Sequence, residues 1–305
     1  MSRKRNGIPL HGWLVLDKPL DMSSSQAVGR ARWLTRAQKA GHGGTLDPLA
    51  TGLLPIAFGE ATKTSNYVMD GCKSYIFHVF FGESRTTDDA EGEVVQTSNS
   101  RPSEDDVKAV LRHFIGQINQ VPPMFSAIKV NGERAYKLAR AGVPPVMPTR
   151  SVQVNDIRLM QVLSEDEMAF TVDCGKGTYV RSLARDIACA LGTFGYVSRL
   201  RRTQAGPFTL DHAISLEKLG EVCHNDAVKQ YLRPIEDVLD DIPAIPLTKS
   251  QANKLRSGQA LSIKPSDLPR VSVEHSTVLA TEAGCAVALS IVVDGVLKPV
   301  RVFNF

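Results

Sequence analysis

The hydrophobic positions change period several times along the chain, and each change marks an element. Residues 12–17 (GWLVLD) are continuously apolar and closed by Lys18-Pro19, the pattern of a short buried strand. One of Ser23, Ser24 and Ser25 then caps a helix that carries Val28, Ala31 and Leu34 at helical spacing. Residues 53–58 form a second apolar strand, and a helix holding Thr62, Thr64 and Tyr67 is expected from Gly59-Glu60. Residues 73–82 read KSYIFHVFFG. Tyr75, Phe77, Val79 and Phe81 share one face of that strand and Ile76, His78 and Phe80 the other, so both faces are expected to be covered.

In the second half, residues 104–115 have the spacing of an amphipathic helix. Val121-Pro122-Pro123 breaks the chain before a short strand at 125–130, a hairpin-type turn at Asn131-Gly132 and a helix at 133–141. Strands at about 151–162 and 168–174 lead into Lys176-Gly177-Thr178-Tyr179-Val180-Arg181, where Gly177 releases the strand and Thr178 caps a helix running to about Leu191. Residues 196–203 (YVSRLRRT) read as a strand. After a linker at 242–246 (IPAIP), a short helix at 250–256 and strands near 278–280, 286–293 and 299–303 describe a small β-barrel.

Composition narrows the class. At 305 residues and 43% apolar the chain is globular, with about two domains: residues 1–241 and 242–305. Its five cysteines form no C-x-x-C pair and have no histidine at metal spacing, so neither a metal site nor a disulfide framework is expected, which fits a reduced cytoplasm. The basic start Arg3-Lys4-Arg5 leads into an apolar run broken by His11 and Asp17, a poor signal peptide, and the longest apolar run, 285–293, is too short to span a bilayer. A soluble protein with no membrane association is expected. The net charge of +4 is uneven: through residue 65 nine basic residues face four acids, whereas from 211 to 241 eight acids face three basic residues. A basic face opposite an acidic one suits a polyanion such as nucleic acid, and scattered surface charge also produces such asymmetry.

The candidate chemistry centres on residues 41–52, GHGGTLDPLATG. The glycines leave little side-chain bulk, so another molecule can approach the backbone, and Pro48 forces Asp47 out of the α region and displays its carboxylate at a loop tip. The competing reading is an ordinary glycine-rich turn with a solvated Asp-Pro. His42, Thr45 and Thr51 lie around the acid. Residues 86–92 (TTDDAEG) read as a solvated acidic turn, without the spacing of a calcium loop. Lys129, Arg134, Lys137 and Arg140 with Tyr136 suit phosphate contacts or a plain solvated helix face. Arg181 at a helix start opposes the helix dipole, so an acidic partner from elsewhere in the fold is expected.

Together, LDKP with the following serines, GHGGTLDPLATG, KSY, KVNGERAYKLARAG, KGTYVR and SRLRR resemble the TruB family of tRNA pseudouridine synthases, from about Gly12 to Arg202. The resemblance implies an α+β pseudouridine synthase fold: a mixed, mainly antiparallel central sheet flanked by helices, an RNA-clamping insertion at about 123–150, and a PUA-like RNA-binding domain at 242–305. It implies isomerisation of uridine to pseudouridine at position 55 in the T loop of tRNA, by base flipping and without a cofactor or metal. Asp47 matches the catalytic aspartate, the nucleophile. Tyr75 matches the tyrosine that stacks on uracil, and Arg181 the arginine that pairs with the aspartate. His42 corresponds to the histidine beside the extruded nucleotide, Tyr179 and Leu200 to uracil-pocket residues, and Lys18 and Pro19 to a motif that braces the loop. The expected partner is the T-arm stem-loop of tRNA, bound by a cytoplasmic monomer with no obligatory protein partner.

From the residues alone, a carboxylate here can attack C1′, add to the uracil ring or abstract a sugar proton. Two rival readings are a noncatalytic RNA-binding or RNA-folding protein and a glycoside hydrolase. The latter needs a second carboxylate about 5 to 10 Å from Asp47, for which Asp17 is the only acid nearby in sequence with a strand-end position, one that also suits a structural role.

Overall fold

The computed structural model describes residues 7–224, 227–263 and 275–305. The basic start Arg3-Lys4-Arg5 and Asp226 of the acidic stretch lie outside the described residues.

An 11-stranded sheet forms the centre. Its principal strands are β1 (Gly12–Lys18), β2 (Ala40–His42), β3 (Ala50–Phe58), β4 (Lys73–Phe81), β5 (Gly116–Gln120), β6 (Arg150–Val162), β7 (Glu167–Cys174), β8 (Gly195–Ala205) and β9 (Ala213–Ser215). Across the sheet they run β9-β1-β3-β8-β4-β7-β6-β5, with β2 beside β3. The β1–β9 and β3–β8 pairs are parallel and the other pairs on this path antiparallel. The sheet is therefore mixed and mainly antiparallel, as expected.

Helices α1 (Ser24–Thr35), α2 (Ser65–Asp70), α3 (Glu104–Leu111), α4 (Ala135–Arg140), α5 (Val180–Ala190), α6 (Leu216–His224) and α7 (Lys249–Arg256) complete the main elements. Ser23 caps α1: its hydroxyl accepts from the Gln26 amide while the Gln26 side chain accepts from the Ser23 amide. Ser103 and Asp106 start α3 in the same way, and this helix ends at Leu111 in a 3₁₀ turn rather than running to 115.

Strand alternation divides the core by face. Leu14 and Leu16 of β1 pack with Ala27 and Ala31 of α1 and Leu219 of α6, while Phe77 of β4 packs with Leu183 of α5 and Val107 of α3. Tyr75 and Leu200 touch both clusters, so these two helical layers cover one face of the sheet with a cleft between them. Trp13 and Val15 point the other way and meet Leu289 and Phe303 of the C-terminal region.

That region is a five-stranded sheet, in the order β10 (Ala244–Pro246), β12 (Thr277–Glu282), β13 (Cys285–Val293), β14 (Val296–Val302), β11 (Leu261–Ser262). It curls round α7 and encloses its own apolar cluster, which includes Leu255, Val287 and Leu297.

Several expectations change. Residues 73–82 are not equally covered: Phe77, Val79 and Phe81 are fully buried, whereas Ile76, His78 and Phe80 are half-buried, because no helical layer seals that part of the far face. The strand expected at 125–130 shrinks to Lys129–Val130, paired with Glu133–Arg134 across Asn131 and Gly132, whose φ angles of 50° and 89° suit the tight hairpin turn. Consequently α4 starts at Ala135. Thr178 does not cap α5; Tyr179 occupies that position, and the Thr178 hydroxyl donates to the Gly175 carbonyl instead.

Candidate active site

The loop between β2 and β3 carries Asp47, and its backbone is held by three elements. Ser24, at the start of α1, takes both polar groups of Leu46: its hydroxyl donates to the carbonyl (2.9 Å) and accepts from the amide (2.7 Å). Lys18, fully buried at the end of β1, donates through Nζ to the carbonyls of Pro19 (2.8 Å), Met22 (2.6 Å) and Pro48 (3.2 Å). Burial lowers the pKa of this ammonium, and the nearby Asp47 and Asp21 oppose the shift. Arg202, also buried, donates to the carbonyls of Leu53 (2.7 Å), Thr45 (3.3 Å) and Gly44 (3.2 Å). The acid is thus displayed by a loop with little freedom to move.

Two glycines have structural reasons. Gly43 is buried, and a Cβ there would stand 2.9 Å from Val68 and 3.1 Å from the Trp13 ring, so a crowded interior does require glycine at this point, contrary to the expectation of open approach. Gly52 has φ +94°, and a Cβ would lie 2.3 Å from the Arg202 carbonyl, where β3 meets β8.

Beside the loop lies a cavity of about 510 Å³ lined by Asp47, Tyr75, Tyr179, Arg181 and Leu200. These five expected site residues come from two strands, β4 and β8, the start of α5 and one loop, and the fold brings them together. His42 does not line the cavity; its half-buried ring sits on β2 with Nδ1 unpartnered, and burial and Arg202 lower its pKa. Lys18 and Pro19 lie outside the lining, behind the loop.

Arg181 Nε stands 3.0 Å from Asp47 Oδ2, an ion pair oblique to the N–H direction. The guanidinium is nearly buried, at 6% side-chain exposure, and its other nitrogens donate to the carbonyls of Thr87 (2.9 Å) and Phe125 (3.0 Å). The acidic partner expected for this arginine is present, and there are two of them. Asp89 Oδ2 lies 3.2 Å from Arg181 Nη1, with 8% of its side chain exposed. Within the turn read as solvated, 86–92, Thr86, Ala90 and Glu91 are exposed but Asp89 is turned inward, and it also accepts from the Glu91 amide at 3.1 Å. Asp88 pairs with Arg185 at 2.8 Å. Asp17 is bound by Arg201 at 3.0 and 2.8 Å, so Asp89, not Asp17, is the second carboxylate at the site.

Burial raises the pKa of Asp47; Arg181 is the largest opposing influence, Asp89 adds to the rise and Lys18 opposes it. Burial likewise raises the Tyr75 phenol, against the nearby Arg202, and the Tyr179 phenol. Tyr75 lies opposite Arg202 in the β4–β8 register. Tyr179 is fixed through its backbone, its amide donating to Gln120 Oε1 at 2.8 Å and its carbonyl accepting from Gln120 Nε2 at 3.1 Å.

Sequence reasoning missed Arg202 and Asp89. For Arg202 a signal existed, because the two-residue period from Leu200 places both on one face of β8. Asp89 had no such signal, since only the tertiary fold turns it towards Arg181. Among the described residues, no three His, Cys, Asp or Glu side chains are grouped to hold a metal ion, and no helix is long and apolar enough to cross a membrane.

Residues 32–180 match the family model described as the TruB family pseudouridylate synthase N-terminal domain, and residues 181–240 that of the tRNA pseudouridylate synthase B C-terminal domain. The chain belongs to the TruB family. It is 48% identical over 307 residues to the tRNA pseudouridine synthase B of Rhodospirillum rubrum, covering 100% of both chains. It is 52% identical over 274 residues to that of Gluconobacter oxydans, covering 88% of this chain and 81% of the relative. Among solved structures, a Cbf5-Nop10-Gar1 complex is similar at TM-score 0.72 and 25% identity, over 93% of this chain and 78% of that one. An H/ACA RNP bound to a substrate RNA containing 2′-deoxyuridine is similar in fold at TM-score 0.75 and 22% identity, over 100% and 92%. The TruB fold is thus an α+β pseudouridine synthase sheet, with the C-terminal strands curled into a PUA-like half-barrel.

Proposed function

We propose that this TruB-family pseudouridine synthase acts on the T loop of tRNA, converting uridine 55 to pseudouridine with Asp47 as the catalytic nucleophile. The observation that carries the reading is the Asp47–Arg181 ion pair at 3.0 Å beside a cavity that also holds Tyr75.

Isomerisation breaks the N1–C1′ bond, turns the uracil and joins C5 to C1′. C5 gives up its proton and N1 ends protonated, so the base changes its attachment and keeps its composition. The route through attack on C1′ forms an Asp47–C1′ bond as N1 leaves, and that bond breaks when C5 attacks. Addition to the ring and abstraction of a sugar proton draw on the same anion. A free aspartate titrates near pH ~3.9; burial at Asp47 raises that value and Arg181 restrains the rise, which favours the anion beside the cavity, where 40% of its side chain is exposed.

The uridine must leave its stack to reach Asp47, at a cost of a few kcal/mol. Stacking on the Tyr75 ring, worth about 1–3 kcal/mol, offsets much of that. The raised phenol pKa keeps Tyr75 neutral and suited to stacking rather than proton abstraction. We assign Tyr179 and Leu200 to the uracil pocket, His42 to the space vacated in the RNA, and Lys18 and Pro19 to loop support. We take residues 123–150 as the RNA clamp, a reading supported by Tyr136 and Arg140 in the cavity wall. The proposed domains are 1–241, catalytic, and 242–305, RNA-binding, in a cytoplasmic monomer.

The test is to map pseudouridine in an unmodified tRNA transcript after incubation with the enzyme. A single modification at position 55, absent when that uridine is changed to cytidine, is expected; modification elsewhere with position 55 untouched overturns the reading.

A further inference from the structure

The exposed face of α1 carries a feature that the catalytic cleft does not use. Residues 22–46 contain Arg30, Arg32, Arg36 and Lys39 and no acid. Trp33 is 67% exposed, the highest exposure of any tryptophan, phenylalanine or tyrosine described, with Arg30 stacked over its ring at 4.5 Å. A solvent-facing tryptophan gains nothing for the fold, because Ser24, Ala27, Ala31 and Thr35 already form the buried side of the helix. Since Arg30 covers one face of the indole, the exposed area belongs to the rest of the ring.

Trp33 also forms part of a wall of a groove of about 1250 Å³ between α1 and α6. Arg30 and Arg36 line the same side, and Glu217 and Glu221 come from α6. Glu221 is held by Lys218 at 2.8 Å, so the α1 side is strongly positive and the α6 side weakly negative. A polyanion fits along α1, with its backbone on the arginines and an unpaired base on the indole. Aromatic rings interleaved with cations are how single-stranded nucleic acid is held without reading its sequence.

The position suits a second contact to the same RNA. The α1/α6 layer and the α3/α5 layer cover one face of the sheet, and the cleft lies between them. The 123–150 insertion meets the cleft from the α5 side, where Phe125 binds Arg181. The opposite wall of the cleft is the α1/α6 layer, which carries Trp33. Ser24 ties the start of α1 to the catalytic loop, and nine residues of helix place Trp33 about 14 Å further on, a fixed offset from Asp47.

We infer that Arg30 and Trp33 form a stacking platform for an unpaired nucleotide of the substrate tRNA outside the T arm. The inference rests on the T-arm reading only for which part of the tRNA fills the cleft.

Dissociation constants for full-length unmodified tRNA and for the isolated T-arm stem-loop test it, using wild type, Trp33→Ala, Trp33→Phe and Arg30→Ala. Trp33→Ala is expected to weaken full-length tRNA about thirtyfold, the middle of the range for losing one base–aromatic stack, while Trp33→Phe retains most of the affinity. The affinity for full-length tRNA then falls towards that for the stem-loop. Trp13 is fully buried, so quenching of exposed tryptophan fluorescence by full-length tRNA, lost in Trp33→Phe, reports the contact directly. Unchanged affinity for full-length tRNA, or equal weakening of both RNAs, overturns the platform, including in favour of a protein partner on this face. Whether wild type modifies the stem-loop reports separately on the T-arm reading.

Discussion

Arg181 Nη1 lies 3.2 Å from Asp89 Oδ2, and both side chains are more than nine-tenths buried. Asp89 therefore orients the guanidinium that reaches Asp47. Changing Asp89 to Asn keeps the shape and removes the charge that anchors Arg181. A displacement of the order of 1 Å at a reacting group costs about 10²-fold in rate, so single-turnover pseudouridine formation is expected to fall by about that factor, with tRNA affinity changed little. A variant that loses affinity and keeps its rate contradicts this role.

Arg202 ties three carbonyls of the catalytic loop and β3. Arg202→Met leaves the buried Leu53 carbonyl without this donor, at about 1–3 kcal/mol, and releases the partly buried Gly44 and Thr45 carbonyls. Thermal unfolding should show a marked fall in Tm. Lysine lacks the planar fork needed to reach all three, so Arg202→Lys is expected to recover only part of the loss.

The pH dependence follows from Asp47. Its folded-state pKa is raised, so on acidification the anion is lost at a higher pH than for an ordinary aspartate, and kcat/KM should fall accordingly. Because Arg181 is the largest influence holding the value down, Arg181→Gln should move the acidic limb to still higher pH, alongside its loss of rate. The linkage has the matching sign: a raised carboxyl contributes stability below its unfolded pKa that is lost as pH rises through the folded value. Asp47→Asn is therefore expected to melt no lower than wild type at pH ~8, which separates loss of chemistry from loss of fold.

Phe303, 1% exposed, packs in a cluster with Trp13 and Leu289, where the central sheet meets the PUA-like half-barrel. Phe303→Ala is expected to destabilise the protein by about 3–5 kcal/mol in chemical denaturation, as a core aromatic does. A change below about 1 kcal/mol contradicts a shared core.

Much of this was legible in the chain. The run of β1 marked a buried strand, the alternation of β4 sorted its side chains into two faces although only one proved fully buried, and Asp47-Pro48 placed a carboxylate on a loop. Five of the expected site residues line one cavity. Less legible was whatever depended on long-range packing. Gly43 is small because Trp13 and Val68 crowd it, a contact invisible locally. The 86–92 turn looks solvated by composition, yet Arg181 draws Asp89 inward across 92 residues of chain. His42 stands on β2, paired with β3, and is not among the residues lining the cavity.

Asp47 as the reacting group is tested most directly by nucleoside analysis of a T-arm stem-loop incubated with wild type or with Asp47→Asn. Pseudouridine from wild type and none from the variant, with both proteins folded and binding the RNA, is the predicted result. Pseudouridine formed at comparable rates by both proteins contradicts it.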